Sequence, residues 1–107
     1  MLLIAWTTVA NRPEAEILAR GIVDAQLAAC VQIEGPLTSF SRWEGRLEEA
    51  TEFRLTIKFL PEQSAGLEAW VHIHHPYETP EWLTLRAENV SEKYLSWART
   101  RRSNPPL

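Results

Sequence analysis

The sequence has a single cysteine, no excess of basic residues and no long hydrophobic run. Cys30 is alone among 107 residues, which excludes an internal disulfide and any CxxC zinc or redox motif, and favours a reducing compartment. The formal net charge is -3, so nothing indicates the basic face of a nucleic-acid-binding protein. No apolar run approaches the roughly 18 residues of a membrane span. We therefore expect a cytoplasmic protein that binds neither nucleic acid nor membrane.

The motifs of several enzyme classes are also missing. The chain has no GxSxG, no P-loop and no GxGxxG, and no nucleophile–base pair stands out, so the sequence predicts neither an enzyme nor an organic cofactor. What is present is ordinary globular composition, with 45% hydrophobic and 23% charged residues. The length corresponds to one domain spanning residues 1–107, in which residues 101–107 are expected to form a frayed tail.

Hydrophobic periodicity predicts four strands and three helices. The clearest pattern is the strict alternation that places every second residue from Phe53 to Phe59 on one buried strand face. In chain order, the predicted segments are a strand at 2–9, a helix at 12–26, a strand at 27–33 that resumes at 37–42 after a kink at Gly35-Pro36, a strand at 46–58, a helix that opens at Pro61 and ends before Pro76, a strand at 82–87 and a helix at 92–99.

Two local signals set the ends of these segments. Asn11 offers an N-cap for the first helix, with Glu14 three positions later. Trp43-Glu44-Gly45 predicts a hairpin turn in which Gly45 supplies a positive φ. The second helix has a predicted buried stripe of Leu67, Trp70, Val71 and His74.

The order of the segments predicts the fold class. A β-α-β-β-α-β order with a hairpin at its centre is the ferredoxin-like plan, an α+β fold in which an antiparallel sheet has both helices on one face. In this chain an additional C-terminal helix comes after these six elements.

Element lengths predict an oligomer. A helix of about 14 residues spans roughly 21 Å, whereas a strand such as 46–58 spans roughly 43 Å. The helices therefore cover only about half of the central hairpin, and the remainder leaves a long, partly apolar edge that soluble monomers avoid. Pairing with further copies of the chain would cover it.

The three histidines cluster at 72, 74 and 75. Neutral imidazoles near a carboxylate such as Glu78 are common ligands for copper, zinc or nickel. His72 and His75 are spaced to share a helix face, whereas His74 falls on the predicted buried stripe. The alternative interpretation is that these histidines cap carbonyls or fill polar gaps. Cys30, in a predicted inner strand, is expected to be a buried, inert thiol.

Five segments occur in an order that resembles a known family. They are LAAC at 27–30, Ser39 with Trp43 and Gly45, Glu52 with Lys58, HPYETPE at 75–81, and YLSW at 94–97. Together these segments are similar to the CutA family of divalent-cation tolerance proteins, and the resemblance covers about residues 3–100.

The resemblance implies a ferredoxin-like fold and a tight homotrimer in which long hairpins reach across neighbouring subunits. It also implies a role in copper and divalent-cation tolerance, with His74 and His75 as candidate metal ligands for Cu2+ or another divalent ion. Some relatives have a cysteine where this chain has Trp6, so a thiolate ligand is missing and Cu(I) should bind less well. Other departures from the family pattern are Gln32, Ser41 and Phe59.

Two classes of function stay open. The first is a metal-binding, metal-tolerance protein that uses His74 and His75. The second is a trimer similar to the PII signalling proteins, whose intersubunit clefts bind a small metabolite or a protein partner. In that case the candidate cleft residues are Trp43, Glu52, Lys58, Tyr77 and Glu78.

Overall fold

A computed structural model describes residues 1–100 as one four-stranded sheet with three helices. The strands are β1 (Leu3–Val9), β2 (Cys30–Trp43), β3 (Arg46–Phe59) and β4 (Leu83–Arg86), and the helices are α1 (Arg12–Asp24), α2 (Ser64–His74) and α3 (Glu92–Arg99). The strand order is β2-β3-β1-β4 and every pair is antiparallel. This is the predicted βαββαβ plan with an additional helix. The expected tail at 101–107 lies outside the described residues.

The alternating pattern of β3 builds the core. Leu55, Ile57 and Phe59 are fully buried and face α1 and α2. Burying a side chain of this size contributes about 1.5–3 kcal/mol relative to leaving it exposed. The neighbouring residues of β3 point to the opposite side, which α1 and α2 do not cover and which we call the open face. No helix among residues 1–100 is both long and apolar enough to cross a membrane.

The first helix begins as predicted and ends earlier. The Asn11 side chain accepts a hydrogen bond from the Glu14 backbone N–H (2.9 Å), so α1 starts at Arg12. It ends at Asp24 instead of residue 26, because Gln26 has a φ of 60°. That left-handed residue lets the Leu27 N–H return to the Ile22 carbonyl (3.1 Å), a common way to end a helix.

The second strand differs from the prediction at its start. Residues 27–29 are not part of β2, which begins at Cys30 and continues to Trp43. The predicted kink is present, since the register shifts between Glu34 and Leu37 around Gly35-Pro36. A run of apolar residues directly after a helix does not show where the chain joins the sheet, so the predicted start at residue 27 is wrong.

Cys30 is half-buried, so its prediction as a buried thiol of an inner strand is wrong. β2 is an edge strand, and Cys30 lies opposite Lys58. A largely apolar strand sequence does not distinguish an edge strand from a central one.

The second helix begins after a 3-10 turn at Pro61–Gln63 and ends before Pro76 as predicted. Gly21 of α1 allows the two helices to approach closely, because a Cβ at this position would lie 2.5 Å from the Trp70 ring. Leu67 and Val71 are buried and Trp70 is half-buried. His74 is exposed, so its assignment to the buried stripe is wrong.

The hairpin of β2 and β3 extends beyond the helices. Its turn has positive φ at both Glu44 (50°) and Gly45 (79°), as in a two-residue hairpin. β1 ends at Val9, opposite Phe53, so from residue 52 towards the turn β3 has only β2 as a neighbour. We call residues 37–52 the arm. The molecule is accordingly elongated, 47 × 27 × 25 Å. The arm exposes three large apolar side chains, Phe40, Trp43 and Leu47.

A second apolar cluster holds α3 against one end of the sheet. Its buried members are Leu2, Leu60 and Ala98. Ser91 caps α3 by accepting a hydrogen bond from the Tyr94 backbone N–H (3.3 Å).

Candidate functional site

His75 is a buried anchor between α2 and the segment that follows it. The Tyr77 backbone N–H donates to His75 Nδ1 (3.0 Å), and His75 Nε2 lies 3.0 Å from the Thr7 hydroxyl. Because a backbone N–H can only donate, Nδ1 must be the acceptor, and in the neutral ring Nε2 then bears the proton. The lone pair of the neutral ring is thus already used within the chain.

The surroundings of His75 lower its pKa below 6.5, chiefly through burial, with a smaller contribution from nearby His72. A protonated ring would also lose the hydrogen bond that Nδ1 accepts from Tyr77. The structure therefore favours the neutral ring.

This shift predicts a loss of stability in mild acid. Below about pH 6.5 the histidine of the unfolded chain takes up a proton, whereas the folded chain resists protonation until a lower pH. The free energy of unfolding should therefore fall as pH drops from 7.5 to 5.5, as measured by urea titration. His75→Gln should flatten this dependence, and His72→Gln should flatten it only slightly, since His72 contributes the smaller part of the pKa shift. An equal slope in wild type and His75→Gln would refute the assignment.

His74 is exposed, and its contacts differ from those of His75. Its ring stacks on Trp70, with centroids 4.0 Å apart and planes inclined by 21°. His74 Nδ1 lies 2.8 Å from the Trp70 carbonyl oxygen. Since a carbonyl can only accept, Nδ1 donates, and in the neutral ring Nε2 retains its lone pair. His74 therefore has a nitrogen suited to metal coordination. The stacking on Trp70 and the bond to the Trp70 carbonyl hold the ring in one orientation.

His72 has the same local chemistry on another side of α2. Its Nδ1 lies 2.9 Å from the Glu68 carbonyl, and the ring meets Trp82 edge-on with centroids 6.1 Å apart. Within residues 1–100, no three histidine, cysteine, aspartate or glutamate side chains gather closely enough to hold a metal ion.

Two of the predicted cleft residues meet at the base of the arm. Burial, followed by the negative charge of nearby Glu52, raises the pKa of Tyr77. The Ser39 hydroxyl donates to the same carboxylate (2.8 Å). Glu81 lies close enough to Glu52 that burial and this second carboxylate raise its pKa. Glu78, in contrast, is exposed.

Lys58 and Trp43 lie away from this cluster within one chain. Lys58 is six residues along β3 from Glu52, roughly 20 Å at 3.3 Å per residue, and its Nζ lies over the Tyr94 ring, 5.7 Å from the centroid. Trp43 is at the tip of the arm, where it pairs with Arg46. One chain alone therefore does not bring the five predicted cleft residues together.

A polar network on the open face has no signal in the sequence. The Trp6 indole N–H donates to the Thr56 hydroxyl (3.0 Å), which donates to Glu34 (3.1 Å). Arg54 binds both oxygens of Glu34 (3.0 and 3.2 Å) and lies over the Trp6 ring. The bonds from Arg54 and Thr56 lower the pKa of Glu34. The alternation of β3 did place Arg54 and Thr56 on one face, but their partners depend on strand register.

This network borders a shallow cavity of about 510 Å³ that also includes Lys58. Trp6 forms part of its wall.

Fold and site together define the class of this protein. It is a small α+β protein with a ferredoxin-like sheet, an overhanging arm and a histidine pair at the end of its second helix. The chain belongs to the CutA1 divalent ion tolerance protein family, whose pattern it matches over residues 3–101.

Individual relatives agree with this assignment. The chain is 40% identical over 93 residues to a protein CutA homolog of Xenopus laevis, covering 87% of this chain and 62% of that relative. It is 35% identical to the divalent-cation tolerance protein CutA of Yersinia pestis (strain Pestoides F), covering 89% and 80% of the two chains. The structure of CutA from Synechococcus elongatus PCC7942 superposes with a TM-score of 0.90 at 39% identity, over 95% of this chain and 90% of that one.

Proposed function

We propose that this chain forms a homotrimer that binds a divalent cation, with His74 as a ligand in each subunit. The supporting observation is the orientation of His74, whose Nδ1–H bond to the Trp70 carbonyl leaves Nε2 with a lone pair on an exposed ring. The protein would act by binding rather than by catalysis, in the cation tolerance for which its family is named. The single cysteine favours a reducing compartment, the cytoplasm.

His75 would join the metal only by giving up its bond from the Tyr77 N–H, so its contribution is the smaller of the two. Water or a neighbouring subunit would supply further ligands. With imidazole in place of thiolate, the site should favour Cu(II) or Zn(II) over Cu(I). An affinity lower than that of a closed structural site follows from this small number of ligands.

The proposed trimer is supported by the arm. Phe40 and Leu47 are 64% and 73% exposed, and α1 and α2 do not reach them. Exposed apolar side chains on a two-stranded extension are unfavourable in water and are typical of an interface between copies.

Metal titration of three proteins tests the assignment of His74. Calorimetry with Zn(II) and Cu(II) at pH 7.5 should show binding to wild type and an affinity lowered at least tenfold in His74→Ala, since a ligand is lost. His72→Ala is the matched control. His72 makes the same bond to its helix, but its ring meets Trp82 edge-on, on another side of α2 from His74, so the affinity of this variant should stay at the wild-type value. At pH 5.5 binding to wild type should weaken, since protons compete for the imidazole.

A second function is favoured by the meeting of Tyr77 and Glu52 at the base of the arm. In a PII-like trimer this pair would border an intersubunit cleft that binds a small metabolite or a protein partner, and Lys58 and Trp43 would come from neighbouring subunits. Equal metal affinities in wild type and His74→Ala at both pH values would favour this second function over the first.

A further inference from the structure

We propose that Trp70 is a positioning residue for His74, whose indole fixes the imidazole before a metal ion arrives and stabilises the metal-bound ring. The geometry that supports this is a stack of two rings on α2, with the indole held in turn by α1. The effect on metal affinity rests on the proposed function, whereas the position of the ring is a property of the metal-free chain. Neither residue belongs to the arm, and both contacts lie within one chain.

The imidazole of His74 lies nearly flat on the indole of Trp70. The ring centroids are 4.0 Å apart and the planes are inclined by 21°. Residues four apart share a helix face, and helical side chains lean towards the N-terminus, so His74 reaches back over Trp70. Trp70 also provides the carbonyl oxygen that lies 2.8 Å from His74 Nδ1. One residue thus sets both the plane of the ring and the nitrogen that bears the proton.

The indole is itself held by the neighbouring helix. It lies so close to Gly21 of α1 that an added Cβ would be 2.5 Å from Cη2 and 2.6 Å from Cζ2 of Trp70. Trp70 is half-buried and packs against the main hydrophobic core, whereas His74 is exposed. An exposed side chain without such a contact samples several rotamers. The indole is therefore a fixed support under a ring that would otherwise move.

His72 shows what the stacking adds. Its Nδ1 lies 2.9 Å from the Glu68 carbonyl oxygen, the bond that corresponds to the one made by His74. The residue four positions before it is a glutamate, and its ring meets Trp82 edge-on, with planes 73° apart. The two histidines thus share a hydrogen bond to the helix and differ in ring stacking, so His72 is an internal comparison for His74.

Stacking favours the metal-bound ring in two ways. A side chain that is ordered before binding avoids an ordering cost, which corresponds to a several-fold gain in affinity. A metal ion at Nε2 also draws electrons from the imidazole and gives it positive character. The face of an aromatic ring attracts a cation, and indole does so more strongly than benzene. Metal affinity should therefore decrease in the order Trp, Phe, Leu at position 70.

Nuclear magnetic resonance of the metal-free protein at pH 7.5 tests the position of the ring. Long-range nitrogen–proton correlations identify the protonated nitrogen of each histidine, and His74 should bear its proton on Nδ1. Trp70→Leu keeps the backbone carbonyl and removes the indole, so His74 should then populate both tautomers. Trp70→Phe should retain the Nδ1–H form, and the His72 signals should stay at their wild-type positions in both variants.

Calorimetry with Zn(II) at pH 7.5 tests the effect on the metal. Affinity should fall about fivefold in Trp70→Leu and about twofold in Trp70→Phe. Ile57→Val is the control for stability, because it trims a fully buried side chain of β3 and retains both rings. Its affinity should equal that of wild type. Gly21→Ala, which displaces the indole from the side of α1, should lower the affinity although Trp70 and His74 are both present.

Three results would overturn the proposal. They are a wild-type tautomer of His74 in Trp70→Leu, a wild-type affinity in that variant, and an equal loss of affinity in Trp70→Leu and Ile57→Val. If urea titration shows that Trp70→Leu is unfolded, Gly21→Ala takes its place, and a wild-type tautomer and affinity there would have the same meaning. A wild-type protein that takes up no Zn(II) contradicts the proposed function, while the metal-free spectra still decide whether Trp70 positions His74.

Discussion

Replacing Phe40 and Leu47 together by glutamate is expected to convert the proposed trimer into monomers at micromolar chain concentration. Both side chains are largely exposed on the arm in the single chain. If they are anchors of the subunit interface, truncating each one costs about 2 kcal/mol or more, and a charge placed there adds desolvation. A weakening of trimer association by a thousandfold or more follows. Sedimentation equilibrium measures it directly.

Ile17→Glu is the matched control for this variant. Ile17 is 69% exposed on α1 and is not part of the arm. Its substitution should leave the trimer intact. Two results would show that the arm is not the main contact between subunits. One is dissociation of Ile17→Glu, and the other is a Phe40→Glu/Leu47→Glu protein that remains trimeric.

Gly35→Ala is expected to lower the free energy of unfolding by about 3 kcal/mol. Gly35 has a φ of 155°, which side-chain-bearing residues rarely adopt, and an added Cβ would lie 2.4 Å from the Phe53 ring. Backbone strain of about 1–3 kcal/mol adds to a similar cost of displacing the ring. Urea titration at a fixed chain concentration measures the loss.

Gly45→Ala separates these two contributions. Gly45 also has a positive φ, 79°, but nothing lies within 4 Å of a Cβ added there. Only backbone strain of about 1 kcal/mol should remain. If the two alanine variants lose the same stability, the contact of Gly35 with Phe53 is not what restricts position 35.

Those parts of the fold with a periodic signal could be predicted from the sequence. The alternation from Phe53 to Phe59 fixed a buried strand face, and the Asn11 cap located the start of α1. The order of elements then allowed few topologies. The start of β2 and the exposure of Cys30 could not be predicted, since they depend on where β2 sits in the sheet.

The chemistry of the site was less predictable. The sequence places two histidines side by side, yet the structure buries His75 and exposes His74, because the helix ends between them. The Trp70 carbonyl determines which nitrogen of His74 bears the proton, and the Tyr77 N–H does the same for His75. Neither contact has a signal in the sequence. Glu52 and Tyr77 are 25 positions apart and meet only through the fold.

Native mass spectrometry of the wild-type protein at pH 7.5, with excess Zn(II) or Cu(II), shows whether the protein is a cation-binding trimer. We expect one species at three times the chain mass of 12.3 kDa that takes up one metal ion per chain. A monomer, or a trimer that takes up no metal, would contradict it.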